Sequence, residues 1–292
     1  MDMDSLIKSV CTVVQALESL TGITLNAFII GVISLGFRKG RDVGNIDKIL
    51  FALSLSSAAY AFTFLAFLFL TSYNSTGGTI FLGYFVTFSV TSCSWLTACL
   101  CVFYFIKIIQ FTSGFLSWVK RKINAIVPWM IMVAEGVSLS CVLVHKEFQG
   151  QLSFMNSSAQ LSAASGTSST SLMFLVTNCL AFLIVTVTTL CTVGYLRLHI
   201  HRIKKGTSGS PQSHQNAAKT MIRLFILYLI FYFVFMTFYF QVAPPNSWWF
   251  QVNVMLGISF SSVQSVLLIT ASSRLSTAWL QLHRALRCLK TL

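Results

Sequence analysis

Seven stretches of this chain are apolar over about 20 residues or more, the length a helix needs to cross the hydrocarbon core of a bilayer. They run Val10 to Leu35, Ile49 to Leu70, Ile80 to Ile106, Ile126 to Val144, Leu172 to Leu196, Leu224 to Val242 and Trp248 to Ala271. Together they consume nearly all the apolar residues of a 292-residue chain that is 55% hydrophobic and only 9% charged. Soluble domains carry roughly 25% charged residues, so this chain cannot cover its own surface with polar groups. The expected fold is an all-α membrane protein, a seven-transmembrane helix bundle. The first block is too long for the h-region of a cleavable signal. Asp2 and Asp4 stand in front of it beside a lone Lys8, and Arg38, Lys39 and Arg41 follow it.

Lys and Arg set the orientation, because short loops rich in them stay cytosolic. Counted on alternate sides, one side holds Arg38, Lys39, Arg41 and Lys48, then Lys107, Lys120, Arg121 and Lys122. The same side holds Arg197, Arg202, Lys204, Lys205, Lys219 and Arg223, and finally Arg274, Arg284, Arg287 and Lys290. Of 20 basic residues only Lys8 and Lys146 remain for the other side. The N-terminus is therefore expected outside and the C-terminus in the cytosol. The basic-poor side also carries the sequons at Asn74 and Asn156, which are glycosylation acceptors only on the lumenal face.

The net charge of +13 does not point to nucleic acid, since its basic clusters sit between apolar blocks and are not interleaved with stacking aromatics. Residues from His145 to Ser171 read as a flexible outer loop, and Gly206 to Ser213 as a cytosolic linker. Past the receptor domain, residues 1–274, the segment 275–292 sets Leu275, Trp279, Leu282, Leu286 and Leu289 on one face opposite Arg284, Arg287 and Lys290. That pattern is an interfacial helix on anionic headgroups. Cys288 within it is either palmitoylated or an unmodified thiol. The other seven cysteines lie in apolar blocks, where a thiol behaves as a small hydrophobe, so no disulfide framework is expected.

Few side chains could carry chemistry. His199 and His201 stand among Arg197, Arg202 and Lys204, where a metal ion would be repelled, and no carboxylate or Cys helps. No nucleophile elbow, zinc signature or phosphate loop occurs, so the chain reads as no enzyme and no cofactor or metal is expected. Glu18 and Glu135 lie within apolar blocks. Each is either a counter-ion or proton relay, or a protonated acid bonded to a neighbouring hydroxyl. Phe231, Tyr232, Phe235, Tyr239 and Phe240, with Trp248 and Trp249, crowd the outer halves of the sixth and seventh blocks. Those facing inward would line an apolar cavity for a small organic ligand.

Over nearly its whole length the chain resembles the type 2 (bitter) taste receptors. Trp95-Leu-Thr-Ala-Cys-Leu-Cys-Val-Phe-Tyr-Phe-Ile-Lys107 through Phe115-Leu-Ser-Trp-Val-Lys-Arg-Lys-Ile123 is similar to the family's third helix and following loop almost position for position. Asn26-Ala-Phe-Ile29, Ile46-Asp47-Lys48-Ile49-Leu50, Leu196-Arg-Leu-His199, His214-Gln-Asn-Ala217 and Gln264-Ser265 through Leu275 resemble further family segments in the expected order. Ser57 stands where the family usually has Arg, Ser261 where it has Pro, Gln264 where it has His and Ser272 where it has Asn.

The resemblance implies a G-protein-coupled receptor for bitter small molecules at the plasma membrane. Its partners would be a heterotrimeric G protein, gustducin-like or of another Gi class, together with membrane lipid. It places the ligand site between the third, sixth and seventh helices at Val86, Val90, Phe231, Phe235 and Val254, with Glu18 as a polar contributor. G-protein contacts are implied at Tyr104, Lys107, Lys120, Arg121, His199, Arg202, Lys204 and His214. A vomeronasal type 1-like chemoreceptor is the alternative in the same class, and a small multi-helix transporter the one outside it. The transporter reading wants prolines breaking paired helices, whereas Pro128, Pro211, Pro244 and Pro245 read as lying at helix ends or in loops.

Overall fold

A computed structural model describes residues 3–40, 44–72, 76–109, 115–154, 167–203, 212–239 and 247–290. The described residues form eight helices: α1 (Met3–Arg38), α2 (Asn45–Ser72), α3 (Thr76–Ile108), α4 (Phe115–Phe154), α5 (Thr167–Ile203), α6 (Gln212–Tyr239), α7 (Trp248–Ala271) and α8 (Ser273–Lys290). The first seven each contain a membrane-length apolar span, and these agree with the seven apolar blocks of the sequence. The helices outrun the spans. α4 continues through His145 to Phe154 where the sequence reads as loop, because no proline interrupts it between Val144 and Phe154 and each added residue closes one more backbone bond, outweighing the cost of Gly150. Pro128 lies inside α4 rather than at its end: α4 begins as early as Phe115, so the first apolar turn around Pro128 is already helix interior.

Alternate helices run in opposite directions, giving the bundle an amino-terminal face, where α1 starts, and a carboxyl-terminal face, where α7 ends. α1, α2, α4, α5, α6 and α7 form a ring, and α3 threads its middle in contact with α2, α4, α5 and α6. Of the α3 span 67% is buried, against 22–44% in the others, so α3 is the most enclosed of the seven. Ile29 and Ile33 of α1, Leu53 of α2, Leu96 and Leu100 of α3, Leu224 of α6 and Phe260 and Leu268 of α7 make the main core. A second cluster joins α3, α5 and α6 through Cys101, Val185 and Met221. Phe62, Phe69, Trp129, Leu183 and Phe233 point outward, a pattern that in water would aggregate and in a bilayer meets lipid. No disulfide forms among the described residues, which leaves packing and internal polar contacts to hold the helices together.

Where α7 ends, Ser272 starts α8 by accepting from Ser276 N–H at 2.9 Å and, more weakly, from Leu275 N–H through Oγ at 3.5 Å. Ser is a good N-cap, as is the Asn usual in the family, so this departure preserves the local structure. One residue into α8, Arg274 closes the carboxyl-terminal face. Its Nη1 pairs with Asp47 of α2 at 2.8 Å and its Nη2 donates to the Val32 carbonyl of α1 at 3.4 Å. Gly36 makes room for this: a Cβ there would run into the guanidinium. Trp279 completes the attachment with its ring edge-on to Phe28 at 5.2 Å.

Because the pair is half-buried and bonded at both ends, Arg274→Ala is expected to lower the unfolding free energy of the purified receptor by about 1–3 kcal/mol. Gly36→Ala should destabilise through the same contact even though Ala is the better helix former by about 0.8–1.0 kcal/mol. The two losses should not add in the double variant. Thermal unfolding in detergent checks this, and a Gly36→Ala protein more stable than the parent would disprove the clamp.

Candidate functional site

Between α3, α5 and α6, toward the amino-terminal face, lies a cleft walled by Val90 and Ser94, by Asn178 and Phe182, and by Tyr228, Phe231, Tyr232 and Phe235. It is assembled from helical spacing. Val90 and Ser94 are one turn apart on α3, Asn178 and Phe182 one turn apart on α5, and the four aromatics recur at three- and four-residue steps on α6. Aromatic contacts fix the walls. Phe182 stacks on Tyr232 with centroids 4.6 Å apart, Phe231 stacks on Phe260 at 4.1 Å, and Phe235 meets Phe174 edge-on at 5.2 Å. These rings nearly close the cleft, leaving about 10 Å³, room for no more than one water.

Polar atoms in the wall are mostly spoken for. Ser94 Oγ donates to the Val90 carbonyl at 2.9 Å, and the Tyr232 hydroxyl meets Cys179 Sγ at 2.5 Å. Asn178 is the exception. Its Nδ2 donates back to the Phe174 carbonyl at 2.9 Å, which leaves Oδ1 as a buried acceptor with no partner among the described residues. Such a group is costly to bury unpaired.

The cleft floor is tied to three helices. Tyr228 Oη donates to the Cys93 carbonyl at 2.8 Å. With the phenol proton used there, the 2.6 Å contact to Thr97 must run from Thr97 Oγ1 to the phenol oxygen. Gln264 of α7 adds Nε2 at 3.3 Å from Thr97 Oγ1 and 3.4 Å from Tyr228 Oη. One hydroxyl thus joins α3, α6 and α7, and Tyr228 also packs edge-on against Phe260 at 5.1 Å, the ring on which Phe231 stacks.

Two more polar clusters cross the bundle. Asn26 Nδ2 reaches Gly22 O at 2.8 Å, Ser261 Oγ at 3.1 Å and Ser57 Oγ at 3.3 Å. The two serines meet at 2.9 Å. The departures from Arg and Pro at these positions therefore fall on a single contact. Gly22 lets α7 approach, since a Cβ there would stand 3.0 Å from Ser261 Oγ. In the other cluster, Ser92 Oγ donates to Glu135 Oε1 at 2.8 Å, so the 2.7 Å contact between Ser56 and Ser92 has Ser56 as donor. Glu135 thereby accepts from Ser92, and Ser56 joins the cluster through Ser92.

Of the ligand residues expected from sequence, Val90, Phe231 and Phe235 come together in this cleft, while Val86, Val254 and Glu18 do not line it. Val86 lies one turn above Val90 on α3, and Val254 is half-buried on α7 near the 3.2 Å contact of Gln251 with Gln15. Glu18 is half-buried on α1 with Oε2 lacking a hydrogen bond. α5 forms the wall that sequence reasoning missed. Asn178 carried a legible signal as an amide inside an apolar block; Phe182 and Ser94 carried none.

At the carboxyl-terminal face, Tyr104 is half-buried, Lys107 and Arg121 are exposed, and Lys120 Nζ donates to the Ile109 carbonyl at 3.0 Å. Lys107 also sits 5.9 Å from the Phe103 ring centre. His199 and Arg202 lie in the last turns of α5 and His214 in the first turn of α6. Lys204, Asn74 and Asn156 lie outside the described residues.

The family model for the taste receptor protein, TAS2R, matches residues 3–287. Taste receptor type 2 member 40 of Gallus gallus is 25% identical over 295 residues, covering 93% of both chains. The human type 2 members 9 and 2 are each 25% identical, over 98% and 95% of this chain and 97% and 95% of their own. A match from the first turn of α1 to the end of α8, with relatives aligned end to end, sets aside the vomeronasal and transporter readings. The chain is a seven-pass membrane protein belonging to the TAS2R family of bitter taste receptors, which are G-protein-coupled receptors and not enzymes.

Proposed function

We propose that this receptor detects small, largely apolar bitter molecules in the cleft between α3, α5 and α6 and signals to a gustducin-like or other Gi-class G protein. The amino-terminal face would lie outside the cell and the carboxyl-terminal face in the cytosol, at the plasma membrane. The observation that carries the reading is the contact between cleft and floor: Phe231 stacks on Phe260, and Phe260 packs on Tyr228, whose hydroxyl ties α3 to α6 and α7.

Ligand pockets for drug-sized molecules run to roughly 300–1,000 Å³. At about 10 Å³ this cleft is closed, so an agonist must select an arrangement in which Phe231, Tyr232 and Phe235 swing apart. A ligand can shift that equilibrium only by binding the open arrangement better. With valine at Val90 and rings around it, apolar burial at ~25 cal/mol per Å² supplies most of the affinity. Asn178 Oδ1 adds a directional preference for agonists that present an N–H or O–H. Val86, Val254 and Glu18 would contact larger ligands reaching toward α7 and α1. Tyr104, Lys107, Lys120, Arg121, His199, Arg202, Lys204 and His214 supply the cytosolic surface for the G protein, where basic side chains also favour anionic lipid.

Screening cells that express the full receptor against bitter compounds, with a calcium readout, supplies agonists for the test. Phe231→Ala should then weaken potency by about tenfold to a hundredfold, equivalent to roughly 1–3 kcal/mol of lost apolar contact. Val90→Asn should reorder the agonists, since a buried amide costs about 1–3 kcal/mol unless the ligand pairs with it. If both variants reach the surface and every agonist keeps its potency and rank, the cleft is not the binding site.

The orientation has its own check. A tag ahead of Met1 should stain on intact cells and one after Leu292 only after permeabilisation, and the Asn156→Gln receptor should lose an enzyme-removable glycan. Intact-cell staining of the C-terminal tag would reverse the assignment.

A further inference from the structure

We propose that the groove between α1 and α8 binds the headgroup of one anionic phospholipid, with the adjoining apolar surface taking the upper part of its acyl chains. The groove measures about 460 Å³ and has two unlike walls. Val32, Leu35 and Ala278 give it an apolar side; Lys39, Thr277 and Gln281 give it a polar side. No acid lines it.

Depth supports a lipid over a soluble ion. The first span ends at Arg38 and the last at Ala271, so Lys39 and Ser273 sit where hydrocarbon gives way to headgroups. Val32, Leu35 and Ala278 form the groove's apolar side, with Leu35 exposed, and Trp279 anchors on Phe28 beside it, so acyl chains have a bed that a free phosphate would not use.

Charge supports an anionic headgroup over a zwitterionic one. Arg274 lines the groove, and although Asp47 takes its Nη1, the guanidinium keeps further N–H donors. Lys39 is exposed and in no ion pair among the described residues. Arg38 is its exposed neighbour, and Arg284 continues the α8 face of Arg274, Thr277 and Gln281 at helical spacing. Four cations against one carboxylate leave the region a surplus of positive charge. Thr277 Oγ1 is bonded back to Ser273 O at 2.8 Å, which leaves its oxygen able to accept but not to donate, so the cations carry the recognition.

The test is photo-labelling of the full receptor in bicelles, using phosphatidylserine with a diazirine high on one acyl chain and the matching phosphatidylcholine as control. Phosphatidylserine should label residues 32–39 and 273–281 above all other lipid-facing segments, and phosphatidylcholine should label them no more than the rest. Lys39→Gln should cut the phosphatidylserine signal there about fivefold, the factor one basic residue contributes at an anionic surface. Thr277→Trp, which fills the groove from an exposed position, should abolish it, while labelling elsewhere and monodisperse elution show the variant folded. Equal labelling by the two lipids, or a phosphatidylserine signal unchanged in both variants, would overturn the proposal.

Discussion

The hydroxyl of Tyr228 has no water to fall back on. In a bilayer core an unpaired polar group is costly, and this one finds three partners within the protein: the Cys93 carbonyl, Thr97 Oγ1 and Gln264 Nε2. Because lipid is as apolar as leucine, packing alone discriminates weakly between one helix arrangement and another. The hydrogen bonds set which residues face each other: α3 and α6 are pinned at Cys93 and Tyr228, and the cleft lies beside that pin, toward the amino-terminal face, between Val90 of α3 and Phe235 of α6. Aromatic stacking then nearly closes what the pin leaves open.

The same constraint explains how departures from the family pattern are accommodated. Arg and Pro at the positions of Ser57 and Ser261 would be a large cation and a backbone breaker; here two small hydroxyls meet each other and Asn26. Each serine can both donate and accept, so the cluster needs no counter-charge. Gln264 offers N–H donors where the family usually has His, and Ser272 caps α8 where it has Asn. The apolar shell of Leu53, Leu96 and Phe260 closes around these polar contacts.

Most of the fold was legible in the sequence because the bilayer imposes a length. Seven apolar blocks gave seven spans, and the amphipathic pattern after Arg274 gave α8. Helix ends were less legible: the extension of α4 to Phe154 follows from helix propagation beyond the membrane, which hydropathy does not register. The cleft was half legible. Phe231 and Phe235 announce themselves by the density of rings on α6, and resemblance supplied Val90. The α5 wall was missed because Asn178, though visible as an amide in an apolar block, and Phe182 are brought to the cleft by the rotation of α5 against α6, which rests on contacts such as Cys179 with Tyr232 and Phe182 with Tyr232. For Glu135 the sequence offered a bond to a neighbouring hydroxyl as one of its readings, and Ser92 supplies such a bond.

A double-mutant cycle between Tyr228→Phe and Gln264→Leu reaches the central claim most directly, with basal G-protein signalling normalised to surface abundance as the readout. On the proposal that agonists open the cleft, the pinned arrangement is the resting one, so either single change should raise basal signalling. Since both break the same junction, the double variant should exceed neither single by much, a coupling of about 0.5–3 kcal/mol. Basal signalling unchanged in both singles, or effects that simply add, would show that the Tyr228 junction does not hold the receptor off.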